Sequence, residues 1–157
     1  MNVLVMSRAD AIRYCHKRHN TPVVMISVSD PHNAYTSAPF CNKENRVLAI
    51  QRVYFTDADR PGADVYGRSV TEHDLISDSD AFLIKRLLKK FPNADVIVHC
   101  DAGISRSSGI AAAILKAYTG DDSQIFNNPR YSPNMRCYRL VYNKLLEDDS
   151  LQNPIKD

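Results

Sequence analysis

The sequence has few cysteines, no long hydrophobic run and no leader-like start. Its four cysteines include no CxxC pair, and its histidines include no His-x3-His pair, so neither a disulfide framework nor a metal site is expected. No stretch reaches the roughly 18 apolar residues of a membrane span, and the apolar run at residues 3–6 is too short for an export signal. We expect reduced thiols, no membrane association and a cytoplasmic location.

Neither sign of charge dominates the chain. Twenty Lys and Arg against 18 Asp and Glu give a net charge of +2, without a block of like charge, which argues against a nucleic-acid partner or a polybasic membrane patch. The 157 residues, 44% of them hydrophobic, match one domain that buries enough surface to fold by packing alone. We expect a monomer with a single domain over residues 1–157 and a frayed tail from residue 147.

Short apolar runs alternate with helical patterns along the chain. Strands are predicted at residues 2–6, 22–28, 47–55 and 94–99, and the first, second and fourth are expected to be buried. Helices are predicted at residues 10–19 and 78–91, between Cys100 and Gly120, and from Ser132-Pro133, a hydroxyl cap followed by proline at the first helical position. The pattern predicts an α/β fold, with a mostly parallel central sheet of four to five strands and helices on both faces.

The basic side chains of the helix at residues 78–91, among them Lys85, are expected to face water. The stretches at residues 29–46 and 58–71 contain proline and, in the second, two glycines, and both are predicted to be irregular. Loops of this length often serve as lids or binding loops.

The strand at residues 94–99 leads through a short loop into a helix. Successive N–H groups in such a loop can surround an anion, and the positive end of the helix dipole adds to the attraction. Gly103 allows the tight turn, and the planar guanidinium of Arg106 can bind two phosphate oxygens at once. We therefore predict a phosphate-binding loop, which consists of Asp101, Ala102, Gly103, Ile104, Ser105 and Arg106.

Cys100 lies at the base of this loop. The N–H dipoles, the helix N-terminus and Arg106 favour its thiolate over the thiol, and a thiolate facing phosphorus can form a cysteinyl-phosphate. Ser107 is expected to donate a hydrogen bond to the sulfur, and His99 to orient the corner between strand and loop. The alternative is a buried structural cysteine beside a surface arginine, which leaves the glycine, the serine and the helix unexplained.

The pattern His99-Cys100-x5-Arg106-Ser107 resembles the signature of the cysteine-dependent protein tyrosine phosphatases. Residues 102–107 look most like the dual-specificity branch, in a small bacterial type of member, and Ser132-Pro133-Asn134 is similar to a second motif of that branch. This resemblance covers roughly residues 47–146. It implies the phosphatase fold, a two-step hydrolysis without metal or other cofactor, a supporting role for Asn134, and phosphorylated proteins as substrates. Phosphotyrosine is the expected target, with phosphoserine and phosphothreonine as further candidates.

The resemblance also implies a general acid on the loop after the preceding strand. Asp57 and Asp59 both follow the strand at residues 47–55. The family's acid lies just beyond the last aromatic residue of that strand, which favours Asp57 and leaves Asp59 as the second choice. Asp57 precedes Cys100 by a longer separation than is usual in the family, which implies an insertion around residues 63–70.

Two other functions stay open at this point. The domain could be a phosphopeptide-binding module without turnover, or it could hydrolyse a phosphoinositide, an inositol phosphate or an RNA 5′ end. Cys100, Arg106, Ser107 and the acidic loop favour an enzyme, and Asp101 argues against polyanionic substrates, which call for extra basic side chains. Cys41 has two interpretations: a protective disulfide with Cys100 under oxidation, or a lone loop cysteine.

Overall fold

The computed structural model describes residues 1–31, 37–64 and 66–148, and its centre is a four-stranded parallel sheet. The strands of this sheet are β1 (Val3–Ser7), β2 (Val23–Ser29), β3 (Val47–Tyr54) and β6 (Asp95–Cys100). A small antiparallel pair, β4 (Gly62–Ala63) and β5 (Ser69–Val70), follows β3. The helices are α1 (Arg8–Cys15), α2 (Asp78–Lys90), α3 (Arg106–Thr119), α4 (Ser123–Phe126) and α5 (Met135–Leu146).

The strand order β1-β6-β2-β3 places β6 inside the sheet. Because all these pairs are parallel, the carboxyl ends of the four strands meet at one edge. In the register Ser7 lies opposite Cys100, and Ser29 lies opposite Tyr54. Ligands of open α/β sheets bind beyond this edge, so the fold brings the residues after Ser7, Ser29 and Tyr54 to the loop after Cys100.

The two faces of β2 pack against different helices. Val24, Ile26 and Val28 belong to the larger core cluster, which also contains buried residues of α2, α3 and α5. Val23 and Met25 belong to a smaller cluster with buried residues of α1. Alternate side chains of this fully buried strand therefore pack against helices on opposite faces of the sheet. The predicted fold class, a mostly parallel sheet with helices on both faces, is confirmed.

Two predicted helix features are wrong. The last helix has Asn134 as its N-cap, because the amide oxygen of Asn134 accepts a hydrogen bond from the Cys137 N–H, and Ser132-Pro133 precedes the helix. Lys85 does not face water: it is buried, and its ammonium donates to the Glu147 carbonyl at the end of α5. Burial is tolerated because the charged end finds an acceptor at a helix C-terminus.

Other boundaries differ less. The first helix ends at Cys15 rather than at residue 19, and part of the stretch at residues 58–71 pairs as β4 and β5. Residues 149–157 of the predicted frayed tail lie outside the described residues. Within the ranges that the structure describes, no helix has the length and hydropathy needed to cross a membrane.

Candidate active site

The loop after β6 turns at Gly103 and packs on the end of β1. Gly103 has φ = +70°, a left-handed value that favours glycine. A Cβ atom at this position would lie 2.7 Å from the Met6 carbonyl carbon and 2.7 Å from the Ser7 nitrogen. Glycine is thus required both for its backbone angle and for the close packing against β1. The sequence predicted the tight turn but not the packing.

Cys100 lies at the base of this loop and is 3% exposed. Its sulfur lies 3.0 Å from the hydroxyl oxygen of Ser107, which is fully buried in the first turn of α3. The structure therefore puts a hydroxyl donor beside the sulfur, as the predicted role of Ser107 requires.

His99 supports the end of β6, directly before the loop. Its Nδ1 lies 3.2 Å from the Cys100 carbonyl oxygen, and its Nε2 lies 2.6 Å from the Ser27 hydroxyl oxygen. Burial lowers the pKa of His99 to about 4, so the ring is neutral at pH 7. The neutral ring satisfies both contacts if Nδ1–H donates to the Cys100 carbonyl and the Ser27 hydroxyl donates to Nε2.

Arg106 is held from the end of β2. Its Nη1 donates to Asp30 Oδ1 at 2.6 Å and to the Phe55 carbonyl oxygen at 2.8 Å. The β2–β3 register places Asp30 beside Phe55, so one nitrogen reaches both acceptors. Burial lowers the pKa of Arg106, but the carboxylate of Asp30 and other nearby negative groups more than offset this, and the pKa is raised.

Sequence reasoning did not identify Asp30. The signal was available: a carboxylate follows a buried strand directly, and in a parallel sheet such a residue lies at the same edge as the loop after β6. What the sequence did not contain was the strand order, which places β2 next to β6.

Of the two candidate acids, the structure brings Asp57 to the loop. Asp57 Oδ1 accepts a hydrogen bond from the Ser105 hydroxyl at 2.9 Å and another from Asn134 Nδ2 at 3.0 Å. Asp59 is exposed, and it has no side-chain hydrogen bond or ion pair within the described part of the chain. The carboxylate of Asp57 is therefore fixed between the loop and the start of α5.

The segment before α5 supports the loop from behind. The backbone N–H groups of Ser132 and Asn134 donate to the carbonyls of Ile104 and Ser105, each at 3.0 Å. Gly109 makes this contact close, since a Cβ atom there would lie 2.4 Å from the Asn134 carbonyl oxygen. The motif that resembled the dual-specificity branch thus contacts both the loop and Asp57.

Asp101 is not an isolated negative charge on the loop. Arg8 at the start of α1 donates from Nε to Asp101 Oδ1 at 3.0 Å. The expectation that Asp101 disfavours polyanionic substrates did not take this ion pair into account. Arg8, like Asp30, was missed because its partner lies 93 residues away in the sequence.

The remaining cysteines and the candidate metal ligands add no second centre. Cys41 is exposed, Cys15 and Cys137 are buried, and none of the four cysteines is in a disulfide. In residues 1–31, 37–64 and 66–148, the structure has no group of three or more potential metal-binding side chains.

Comparison with known proteins finds likeness in solved structures only. No family model and no curated protein matches the chain. PTPMT1 in complex with PI(5)P is 15% identical over 97% of this chain and 95% of that chain, with a TM-score of 0.53. Human DUSP28 is 16% identical over 96% and 93%, with a TM-score of 0.53. The human tyrosine phosphatase-like serine/threonine/tyrosine-interacting protein is 15% identical over 90% and 89%, with a TM-score of 0.57.

These likenesses define the class of fold. The chain has the fold of the cysteine-dependent protein tyrosine phosphatases, in the form that dual-specificity phosphatases share. The predicted resemblance is confirmed at this level. Because one of the similar structures is a phosphatase-like interacting protein, the fold by itself does not decide between turnover and binding.

Proposed function

We infer that this protein is a phosphatase that hydrolyses phosphomonoesters through a cysteinyl-phosphate on Cys100. The observation that carries this proposal is the convergence on one loop of a thiol, an arginine and a carboxylate. The sulfur of Cys100 lies 3.0 Å from the hydroxyl of Ser107, and Asp57 is hydrogen-bonded to Ser105 of the same loop. A binding module would need the arginine and the loop, but not a placed carboxylate.

In the first step the Cys100 thiolate attacks phosphorus, and the bond between phosphorus and the ester oxygen breaks. Protonated Asp57 transfers its proton to the departing oxygen. In the second step water attacks phosphorus, Asp57 takes the proton of this water, and the bond between sulfur and phosphorus breaks. The Ser107 hydroxyl stabilises the departing thiolate through its hydrogen bond.

Arg106 and the loop N–H groups stabilise the charge on the transferred phosphoryl group. The bonds of Arg106 to Asp30 and Phe55 use Nη1 alone. Nε and Nη2 form no hydrogen bond with the residues that the structure describes, and they are the donors that can bind two phosphoryl oxygens. Asp30 thus orients the guanidinium without occupying the whole of it.

Phosphorylated proteins, above all those with phosphotyrosine, are the proposed substrates, as the motif resemblance implies. A non-protein phosphomonoester is the alternative substrate class, and two observations favour keeping it. The similar PTPMT1 was solved in complex with PI(5)P, and the negative charge of Asp101 is paired with Arg8. Phosphopeptide binding without turnover is a further alternative, because one of the similar structures is a phosphatase-like interacting protein.

Steady-state hydrolysis of p-nitrophenyl phosphate tests the proposal. We expect turnover by the wild type, loss in Cys100→Ser, and retention in Cys41→Ser, which removes an exposed cysteine. Iodoacetate should label Cys100 ahead of Cys41, and vanadate should protect Cys100. Binding of a phosphotyrosine peptide without turnover would instead indicate a binding module. A panel with phosphotyrosine peptides, phosphoserine peptides and a short-chain phosphoinositide then separates the substrate classes.

A further inference from the structure

Arg8 connects three segments at the edge of the sheet where the loop lies. Ser7 pairs with Cys100 in the β1–β6 register, so Arg8 stands beside Asp101. The Arg8 backbone N–H donates to the Asp101 carbonyl at 3.1 Å, and Nε donates to its carboxylate at 3.0 Å. Nη2 donates to the Ser29 hydroxyl at 2.8 Å and to the Val28 carbonyl at 3.3 Å.

These contacts make Arg8 a fixed residue rather than a surface cation. Its side chain is 12% exposed, whereas that of Asp101 is 44% exposed. Held at this burial by these contacts, the guanidinium has little freedom to turn toward a substrate. Among the described residues, its effect on the loop acts through Asp101 and through the end of β2.

The effect has a clear electrostatic sense. Asp101 follows Cys100 in the loop that would hold a phosphoryl dianion, and an unpaired carboxylate there would repel the substrate. The guanidinium of Arg8 cancels this charge and holds the carboxylate on the β1 side of the loop. Asp30, the residue after Ser29, holds Arg106 in a similar way. The end of β2 thus anchors two arginines, Arg8 and Arg106.

We propose that Arg8 is a positioning residue for phosphate binding: it neutralises Asp101 and fixes it away from the bound phosphoryl group. This proposal rests on the proposed function, because both place a bound phosphoryl group in the loop at residues 101–106. The role of Arg8 concerns phosphate affinity and does not require turnover.

The first experiment measures the affinity for inorganic phosphate by calorimetry in a Cys100→Ser background, where hydrolysis does not interfere. Arg8→Gln should weaken phosphate binding by about tenfold. The added substitution Asp101→Asn should restore most of the lost affinity, because the repulsive charge is then gone. Arg13→Gln is the matched control: it removes an exposed arginine of the same helix and should leave the affinity unchanged.

The second experiment leaves Arg8 in place, in case Arg8→Gln does not fold. Asp101→Asn alone removes a negative charge from the loop, and it should tighten phosphate binding. In active enzyme, Arg8→Gln should raise KM far more than it lowers kcat, and added salt should shrink the KM penalty because repulsion between exposed charges is screened.

Several results would overturn the proposal. Failure of Asp101→Asn to rescue Arg8→Gln would assign Arg8 a purely structural role, as would a KM penalty that salt does not change. Weaker phosphate binding in Asp101→Asn would show that Asp101 contributes to the site rather than opposing it. Phosphate binding without any turnover in the wild type would contradict the proposed function but leave the affinity tests of Arg8 valid.

Discussion

Asn134 Nδ2 donates a hydrogen bond of 3.0 Å to Asp57 Oδ1. The same side chain caps α5 through its oxygen, which accepts from the Cys137 N–H. One amide therefore performs two tasks with its two ends: the oxygen stabilises a helix, and the nitrogen positions the proposed proton donor.

Substitutions at Asn134 should separate these two tasks. Serine is also a good N-cap, so Asn134→Ser should keep most of the stability but lose the hydrogen bond to Asp57. Asn134→Ala should lose both, with an additional cost of about 1 kcal/mol from the missing cap. Thermal unfolding measures the loss of the helix cap, and kcat on phosphotyrosine peptides measures the loss of the hydrogen bond to Asp57. Equal stability of the two variants would contradict the capping role.

Asp57→Ala should reduce activity in proportion to the basicity of the leaving group. A general acid contributes roughly a hundredfold or more when the departing oxygen needs a proton, so phosphotyrosine peptides should suffer more than an activated aryl phosphate. Asp59→Ala is the control and should change activity on neither substrate. The reverse pattern would transfer the role to Asp59.

Arg106→Lys should lower kcat by about a hundredfold or more, because the positive charge remains but the two-point contact with phosphoryl oxygens is lost. Asp30→Asn should have a smaller effect in the same direction, because it weakens the ion pair that orients Arg106. Circular dichroism should show native secondary structure in both variants. Retention of a large part of the activity by Arg106→Lys would contradict its assigned role.

Two glycines with nearly the same backbone angle allow the packing at Gly103 to be isolated. Gly67 has φ = +77° with nothing near its would-be Cβ, whereas Gly103 has φ = +70° and backbone atoms at 2.7 Å. Gly67→Ala should cost about 1 kcal/mol of stability from the angle alone. Gly103→Ala should cost about 1–3 kcal/mol more, because backbone must move, and it should also impair phosphate binding. Equal losses in urea unfolding would refute the close contact.

His99 should make stability depend on pH. Its pKa is lowered to about 4 in the folded protein, whereas an unfolded histidine titrates near 6.5. The unfolded state therefore gains a proton first as the pH falls, and stability present above pH 6.5 is lost between pH 6.5 and 4, by about 3 kcal/mol in all. His99→Asn should flatten the slope of the unfolding free energy between pH 6.5 and 5. His73→Asn, at an exposed position, should leave this slope unchanged.

The loop between β6 and α3 could be predicted from the sequence because its residues are contiguous. Cys100, Gly103, Arg106 and Ser107 follow one another in a single segment from strand to helix, and the geometry of such a segment depends mainly on near neighbours. The buried strands β2 and β6 could be predicted for a related reason, since uninterrupted apolar runs have few other stable arrangements in a domain of this size. The prediction is wrong for β1, which is an edge strand and is buried only at Val3. The sequence favoured Asp57 over Asp59 but did not exclude Asp59, because two aspartates on one loop differ little in local pattern.

The tertiary structure decided which distant side chains complete the site. Arg8 and Asp30 reach the loop because parallel strands end at one edge of the sheet and β6 lies between β1 and β2. Asn134 became the cap of α5 because the segment before it is hydrogen-bonded to the loop, which leaves Ser132 outside the helix. Strand order, register and helix docking depend on contacts between residues far apart in the chain, so a local sequence pattern does not contain them.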